Sequence, residues 1–329
     1  MLSSHYSIPP GALVLVTGAN GYIASHVINL LLFSGYKVRG TIREPKPWLD
    51  DFFNAKHGQD KYESVVIPKL EDDGALNNCM EGICGVLHVA SDMSYNPDPN
   101  VVIPNVVAAT LNVLAAAARA PSVKRVVLTS SVLAALDGND DEMVADAAWN
   151  PSTPDTLKPP VVYAASKVHG EQAAWRWIEE NQPHFGFNTV LPNMNFGRLF
   201  MPEKQRSSMG FTRSLLRGDD LVMNIIPPQW YVDVEDTARL HAIALLHPQV
   251  ISERLFACAA PFTWDQVLQT MRHLQPQNRL IPDKAPASTK RDIRVLPSQR
   301  AESLLKEFYG KPGWTTLEES LTAGIVDTD

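Results

Sequence analysis

The chain runs to 329 residues, 45% of them hydrophobic and 20% charged, with a formal net charge of −7. This length suits one large domain with a smaller lobe, and the ordinary globular composition argues against extensive disorder. A negative balance without any run of Lys or Arg speaks against nucleic acid or an anionic membrane surface as a partner. Met1 to Gly11 carries no basic leader and the apolar stretches are shorter than a bilayer requires, so a cytoplasmic location is expected. Cys79, Cys84 and Cys258 are too few and too irregular for a disulfide framework or a zinc cluster, and no metal is expected.

In chain order, Leu13 to Val16 is a short apolar run suited to a strand buried on both faces, and Tyr22 to Phe33 is an amphipathic helix. Lys37 to Ile42, Tyr62 to Ile67 and Gly85 to Val89 read as the next three strands. An apolar helix follows from about Asn100 to Arg119, then a fifth strand, Arg125 to Ser130, ending in small hydroxyl residues. Leu136 to Pro160, rich in Asp, Asn and Pro without periodicity, reads as a long surface loop, before a helix at Val162 to Asn181 and a strand at Phe187 to Leu191. Such alternation predicts an α/β fold, a doubly wound parallel sheet with helices on both faces. Residues 1–191 are expected to form a dinucleotide-binding domain and 192–329 mainly a smaller substrate-binding lobe. Trp230 to Asp233, Val234 to Leu246 and Arg254 to Ala257, a strand, a helix and a strand, are expected to carry 230–258 back to the first domain. Tail helices are predicted at Thr263 to Leu274, Pro297 to Phe308 and Thr316 to Ile325.

The turn after the first strand carries the first functional signal. Gly18 and Gly21 let the backbone turn sharply and approach a phosphate, while the next helix offers its N-terminal N–H groups to the same point. Gly18-x-x-Gly21-x-x-Ala24 is a loose dinucleotide fingerprint. Thr17, Gly18, Asn20, Gly21, Tyr22 and Ile23 are the expected contacts there. At the second strand the acidic residue that would hold an NAD ribose is missing; Arg39 stands in that neighbourhood, with Arg43 and Lys46 as further donors, which favours NADP.

Tyr163-Ala-Ala-Ser-Lys167 falls on a predicted helix, where residues four apart share a face. A phenol is a poor acid–base at neutral pH, but an ammunition of positive charge such as a nearby ammonium lowers its pKa and lets it give a proton to a carbonyl oxygen. Ser130 and Ser131 end the fifth strand at the same edge of the sheet and can hydrogen-bond a developing oxyanion.

Seven segments together resemble the extended short-chain dehydrogenase/reductases, Rossmann-type enzymes, and within them the dihydroflavonol reductase-like branch with its fungal and yeast NADPH-dependent aldehyde and ketone reductases. They are Val14 to Ala24, Val38 to Thr41, His88 to Ser91, Lys124 to Ser131, Tyr163 to Lys167, Leu191 to Asn193 and Tyr231 to Asp236. The resemblance implies that Ser131 polarises the carbonyl, Tyr163 is the general acid, and Lys167 lowers its pKa while holding the nicotinamide ribose. It implies Pro192 and Asn193 beside the nicotinamide, Val89, Ala90 and Ser91 along the cofactor, with Ser130 adjoining, and Arg39 on the 2′-phosphate. Asn105 matches an asparagine that orders a water near the lysine in some relatives. Two departures are Pro68 and Lys69, where an acidic adenine contact is usual, and Ala109 in place of a helix glycine.

The expected activity is NADPH-dependent reduction of an aldehyde or ketone to an alcohol. Alternatives are a double-bond reductase or sugar-nucleotide epimerase on the same scaffold, or a non-catalytic NADP-sensing regulator. Met93, Tyr95, Leu133, Phe196, Phe200, Met201 and Trp230, from loops near the carboxyl edge of the sheet, are the candidate walls for an apolar carbonyl substrate. The chain is expected to act as a monomer or homodimer.

Overall fold

Short apolar runs that alternate with amphipathic segments bury both by laying strands side by side in parallel and covering the two faces with helices. The computed structural model describes residues 6–136, 143–144, 149–150, 158–201, 207–287 and 294–326. Most of the loop expected between Leu136 and Pro160 lies outside the described residues. The elements begin β1 (Leu13–Val16), α1 (Tyr22–Phe33), β2 (Lys37–Ile42), α2 (Pro47–His57), β3 (Tyr62–Val66), β4 (Ile83–His88), α3 (Pro99–Arg119) and β5 (Arg125–Thr129). They continue with β6 (Met143–Val144), α4 (Pro159–Asn181), β7 (Gly186–Pro192), β8 (Met194–Phe196), α5 (Ser208–Arg213), α6 (Leu221–Ile225), β9 (Trp230–Asp233) and α7 (Val234–Leu246). The chain closes with β10 (Arg254–Ala257), β11 (Ala260–Pro261), α8 (Trp264–Leu274), β12 (Arg294–Val295), α9 (Ser298–Tyr309) and α10 (Leu317–Ile325).

Seven parallel strands form the large sheet in the order β10-β7-β5-β4-β1-β2-β3, so sequence order reverses between β1 and β4. Side chains alternate across it. Val14 and Val16 join Val27 and Leu31 of α1 and Leu240 and Ile243 of α7 in one core, while Leu15 packs on the other face with Val113 and Leu114 of α3 and Ala174 of α4. A three-stranded sheet, β11-β9-β8, anchors the smaller lobe, whose core includes Phe196, Tyr231, Phe262 and Trp264. Within 230–258, α7 and β10 return to the large sheet, whereas β9 pairs with β8 and β11.

Two elements differ from expectation. Helix α2 has Pro at its first turn and buries only Leu49 and Phe53, so its apolar stripe is too thin to register as periodicity. Helix α3, with 21 residues and a mean hydropathy of 1.9 in its most apolar window, is long and apolar enough by composition to cross a bilayer, contrary to the expectation that no stretch is. Here it packs against the large sheet, and 39% of that window is buried.

Three buried histidines pin elements together through neutral hydrogen bonds. His88 of β4 meets the Thr17 hydroxyl at 2.8 Å, His241 of α7 meets the Thr129 hydroxyl at 2.7 Å, and His26 of α1 meets the Arg198 carbonyl at 2.9 Å. Burial disfavours the imidazolium and pushes His26 and His88 down to about 3 and His241 to about 4. On unfolding each therefore takes up a proton once the pH drops below its ordinary range. Asp233, pushed by burial up to about 6, releases one. Three uptakes against one release leave about two protons, so stability, full above about pH 7, should fall as pH drops toward 4, with each histidine contributing roughly 2 kcal/mol at pH 5. A lower urea midpoint at pH 5 than at pH 7 is the expected result.

Candidate active site

At the carboxyl end of β1 the buried Thr17 hydroxyl accepts the Ala90 N–H at 3.0 Å while bonded to His88, so it ties β1 to β4 instead of reaching outward. Gly18 follows with φ +69°, and a Cβ there would lie 3.0 Å from the Ala90 Cα. Ala19 N–H donates to the Thr41 carbonyl at 2.9 Å and Gly21 N–H to the Gly18 carbonyl at 2.8 Å, closing the turn. Gly21 caps α1 with no side-chain hydrogen bond, which leaves the first-turn amides of the helix for an anion. The Tyr22 phenol donates to the Gly197 carbonyl at 2.9 Å, and Ile23 packs between the two cores, so only their backbone amides face the turn. Asn20 is half-buried at the head of the turn. A tight turn that lacks a Cβ at Gly18 and Gly21, with no side-chain cap on the helix that follows, fits a dinucleotide diphosphate. Val89 and Ala90 run half-buried beside it, and the Ser91 hydroxyl is buried without a hydrogen-bond partner among the described residues.

The structure does not bring Arg39 to the turn. It sits mid-strand in β2, its Nε 2.6 Å from Glu63 and its guanidinium donating to the carbonyls of Cys79 at 2.8 Å and Glu81 at 3.2 Å. Those carbonyls precede β4, so the guanidinium points to the amino edge of the sheet, opposite the glycine turn. Arg43 lies exposed just past the carboxyl end of β2, with no salt bridge among the described residues, and Lys46, paired with Glu44 at 2.7 Å, caps α2 beside it.

The reacting groups meet where β5 ends and α4 begins. Two prolines open α4 and bring Tyr163 and Lys167 into its first turns. Ser131 caps a short turn, Val132–Ala134, by accepting the Leu133 N–H at 3.2 Å. Burial raises the Tyr163 phenol well above its ordinary value, the nearby Tyr95 adds to this, and a hydrogen bond from Ser131 opposes it. Lys167 lies with its Nζ 5.8 Å from the Tyr163 ring centre and donates to the Thr129 carbonyl at 3.1 Å. Burial pulls its ammonium down to about 8 against an opposing pull from Glu171. Ser130 is turned away: its hydroxyl donates to Glu171 at 2.7 Å. Pro192 ends β7, and the Asn193 carbonyl accepts from Asn195 at 2.9 Å. Asn105, half-buried on α3, makes no hydrogen bond among the described residues.

Tyr163 opens onto a small pocket lined by Asp92, Met93, Tyr95, Asn96, Val102 and Pro159. Its loop builds itself. Asp92 accepts from Ser94 N–H at 2.7 Å, Ser94 from Asn96 N–H at 3.2 Å, Asn96 from Asp98 N–H at 2.9 Å, and Asp98 from Asn100 N–H at 2.9 Å. Tyr95 takes a left-handed φ of 56° within it. Leu133 and Trp230 lie together on the cluster formed by Val132, Leu136, Leu191 and Phe256. Three expected wall residues are elsewhere. Phe196 is fully buried in the lobe core, Met201 is buried in the large-sheet core, and Phe200 stacks on His26 at 4.2 Å with the Lys56 Nζ over its ring, 4.6 Å from the ring centre. Gly197, with φ +121°, turns the chain after β8 so that Arg198 meets His26 and carries Phe200 onto α1 and α2.

The model of the NAD dependent epimerase/dehydratase family matches residues 14–258. The chain belongs to this family. A ketoreductase of Aspergillus novofumigatus is 42% identical over 340 residues, covering 99% of each chain, and aldehyde reductase 2 of Sporidiobolus salmonicolor is 39% identical over 330 residues, covering 95% of each. Yeast methylglyoxal/isovaleraldehyde reductase Gre2, solved with NADPH, superposes with a TM-score of 0.82 at 27% identity, over 95% of this chain and 96% of that one. The protein is thus an extended short-chain dehydrogenase/reductase, an oxidoreductase of carbonyl and alcohol groups that uses a nicotinamide cofactor.

In this family member Glu171 and Arg254, absent from the expected site residues, stand directly behind Lys167. The i+4 spacing from Lys167 to Glu171 is the sequence signal that points to the first; nothing local points to Arg254. The cradle itself gives a test. Gly18→Ala puts a Cβ on a left-handed residue pressed against Ala90, so it should cost more than about 1 kcal/mol of stability and weaken nicotinamide-cofactor binding, read by thermal unfolding and fluorescence titration.

Proposed function

We propose that this protein reduces an apolar aldehyde or ketone to an alcohol with NADPH, Tyr163 serving as the general acid. The observation that carries this reading is the buried Tyr163 phenol, which opens onto the Met93–Tyr95 pocket with Ser131 facing it and Lys167 one turn behind. Bound NADPH supplies the hydride to the carbonyl carbon. Ser131 and Tyr163 hold the carbonyl oxygen by hydrogen bonds that strengthen as it gains negative charge. Because burial raises its pKa, Tyr163 keeps its proton at neutral pH, the state a donor needs, and transfers it from its Oη to that oxygen. The phenolate left behind faces the Lys167 ammonium. The names of the ketoreductase and aldehyde reductase relatives support the carbonyl assignment. Met93, Tyr95 and Val102 favour an apolar substituent beside it.

NADPH oxidation over a panel of aromatic aldehydes, β-keto esters and longer ketones tests the reading. Tyr163→Phe should abolish turnover while leaving cofactor affinity intact, and near-normal turnover there would place the acid elsewhere. Since Lys167 must stay charged and sits at about 8, reduction should fall as pH rises through that value.

Cofactor choice rests on Arg43 with Lys46 as partners of the 2′-phosphate. Arg43→Ala should remove about 1.5 to 3 kcal/mol of NADPH binding and leave NADH binding unchanged. Arg39→Ala should instead lower the melting temperature and leave the NADPH to NADH ratio as it was. The opposite pattern in the two dissociation constants would return the 2′-phosphate to Arg39.

A further inference from the structure

Behind the reacting groups lies a buried ionic knot. The Glu171 side chain is wholly buried on α4 and accepts from four residues on four elements. Ser130 at the end of β5 donates at 2.7 Å, Thr189 of β7 at 2.8 Å, Trp175 of α4 at 3.3 Å, and Arg254 of β10 at 2.9 Å and 3.2 Å to the two carboxylate oxygens. Arg254 is held in turn between the rings of Trp149, 4.2 Å away, and Phe256, 5.3 Å away. One turn toward the site on the same helix face stands Lys167, and Glu171 and Lys167 line one cavity with His88, Ser91, Thr110 and Ser130. Glu171 therefore touches the residue next to Ser131 and faces the residue behind Tyr163.

We infer that Glu171 is a positioning residue of the reducing centre: its clamped carboxylate fixes α4 against β5, β7 and β10 and supplies the negative charge that the Lys167 ammonium faces. The inference rests on the carbonyl-reductase reading for its kinetic consequence, not for its geometry. A buried ion pair often adds little net stability compared with a well-packed apolar substitute, so stability alone does not account for one placed here. Among the described residues the other groups around Lys167 do not supply a counter-charge. From β4 comes His88, kept neutral by burial; from α3, Val106 and Thr110; from β5, the Thr129 carbonyl and Ser130; from its own helix, the protonated Tyr163. Arg254 of β10 adds positive charge on the far side of the carboxylate.

The test titrates Lys167 directly. In protein labelled with 13C-lysine, its Cε resonance, identified by its disappearance in Lys167→Arg, is followed against pH alongside the alkaline limb of kcat/KM. Glu171→Gln keeps the shape and removes the charge, so the Lys167 midpoint and the alkaline limb should both move to lower pH by about one unit. Arg254→Gln leaves the carboxylate to Lys167 alone, and both should move to higher pH. Glu171→Asp, which restores the charge, should return at least half of the Glu171→Gln shift. A Lys167 midpoint unmoved in folded Glu171→Gln overturns the inference, as does an unmoved midpoint in Arg254→Gln if Glu171→Gln does not fold. Should the unaltered protein reduce no carbonyl on the panel while the resonance shifts as described, the carbonyl-reductase reading fails and the clamp stands.

Discussion

The close approach of Gly18 to Ala90 is the constraint on which the site depends. Parallel strands place their carboxyl ends along one edge, and the chain opens a crevice there only where strand order reverses, between β1 and β4. For the β1–α1 turn to lie in that crevice its first residue must press against the end of β4, which excludes a side chain. Thr17 and His88 then hold the two strand ends at that distance. From this follow the direction of α1, the uncapped helix end that faces the crevice, and the run from Val89 to Ser91 beside it.

Burial acts on Tyr163 and Lys167 of α4 in opposite senses. It raises a phenol and lowers an ammonium, because each change disfavours the charged form. In water the two groups titrate close together; here the lysine loses its proton well before the tyrosine. This ordering keeps the phenol protonated and makes Lys167 the group of the pair that responds closer to neutrality. The Lys167 Nζ is turned to the Thr129 carbonyl, while a hydrogen bond from Ser131 pulls the Tyr163 phenol down.

Local patterns were enough to read β1, α1, β2, β9, α7 and β10 to the residue, because in each the signal is contained in the segment itself and its immediate neighbours, such as Gly21 before α1 and Asp233 before α7. The glycine turn and the Tyr163–Lys167 spacing were legible for the same reason: the signal lies within a few residues. What depends on distant pairing was not. Strands β8 and β11, three and two residues long, carry no period of their own, and Phe196 reads equally as wall or core until β9 is laid beside it. Arg39 and Arg43 are both cations within a few residues of the carboxyl end of β2. Only the placement of Cys79 and Glu81 before β4 shows that the first is aimed at the wrong edge.

The loop from Asp92 to Asp98 divides its labour by parity. Its even-numbered residues, Asp92, Ser94, Asn96 and Asp98, spend their side chains on the backbone two positions ahead and so fix the loop's shape without help from elsewhere. Met93 and Tyr95, between them, make none of these side-chain bonds and line the pocket with Tyr163, although Tyr95 also holds the left-handed turn of the loop. If this pocket takes the substrate, as proposed, exchange at Met93 alters what it accepts while the loop's own hydrogen bonds stay in place, whereas exchange at Tyr95 has also to satisfy the left-handed backbone there.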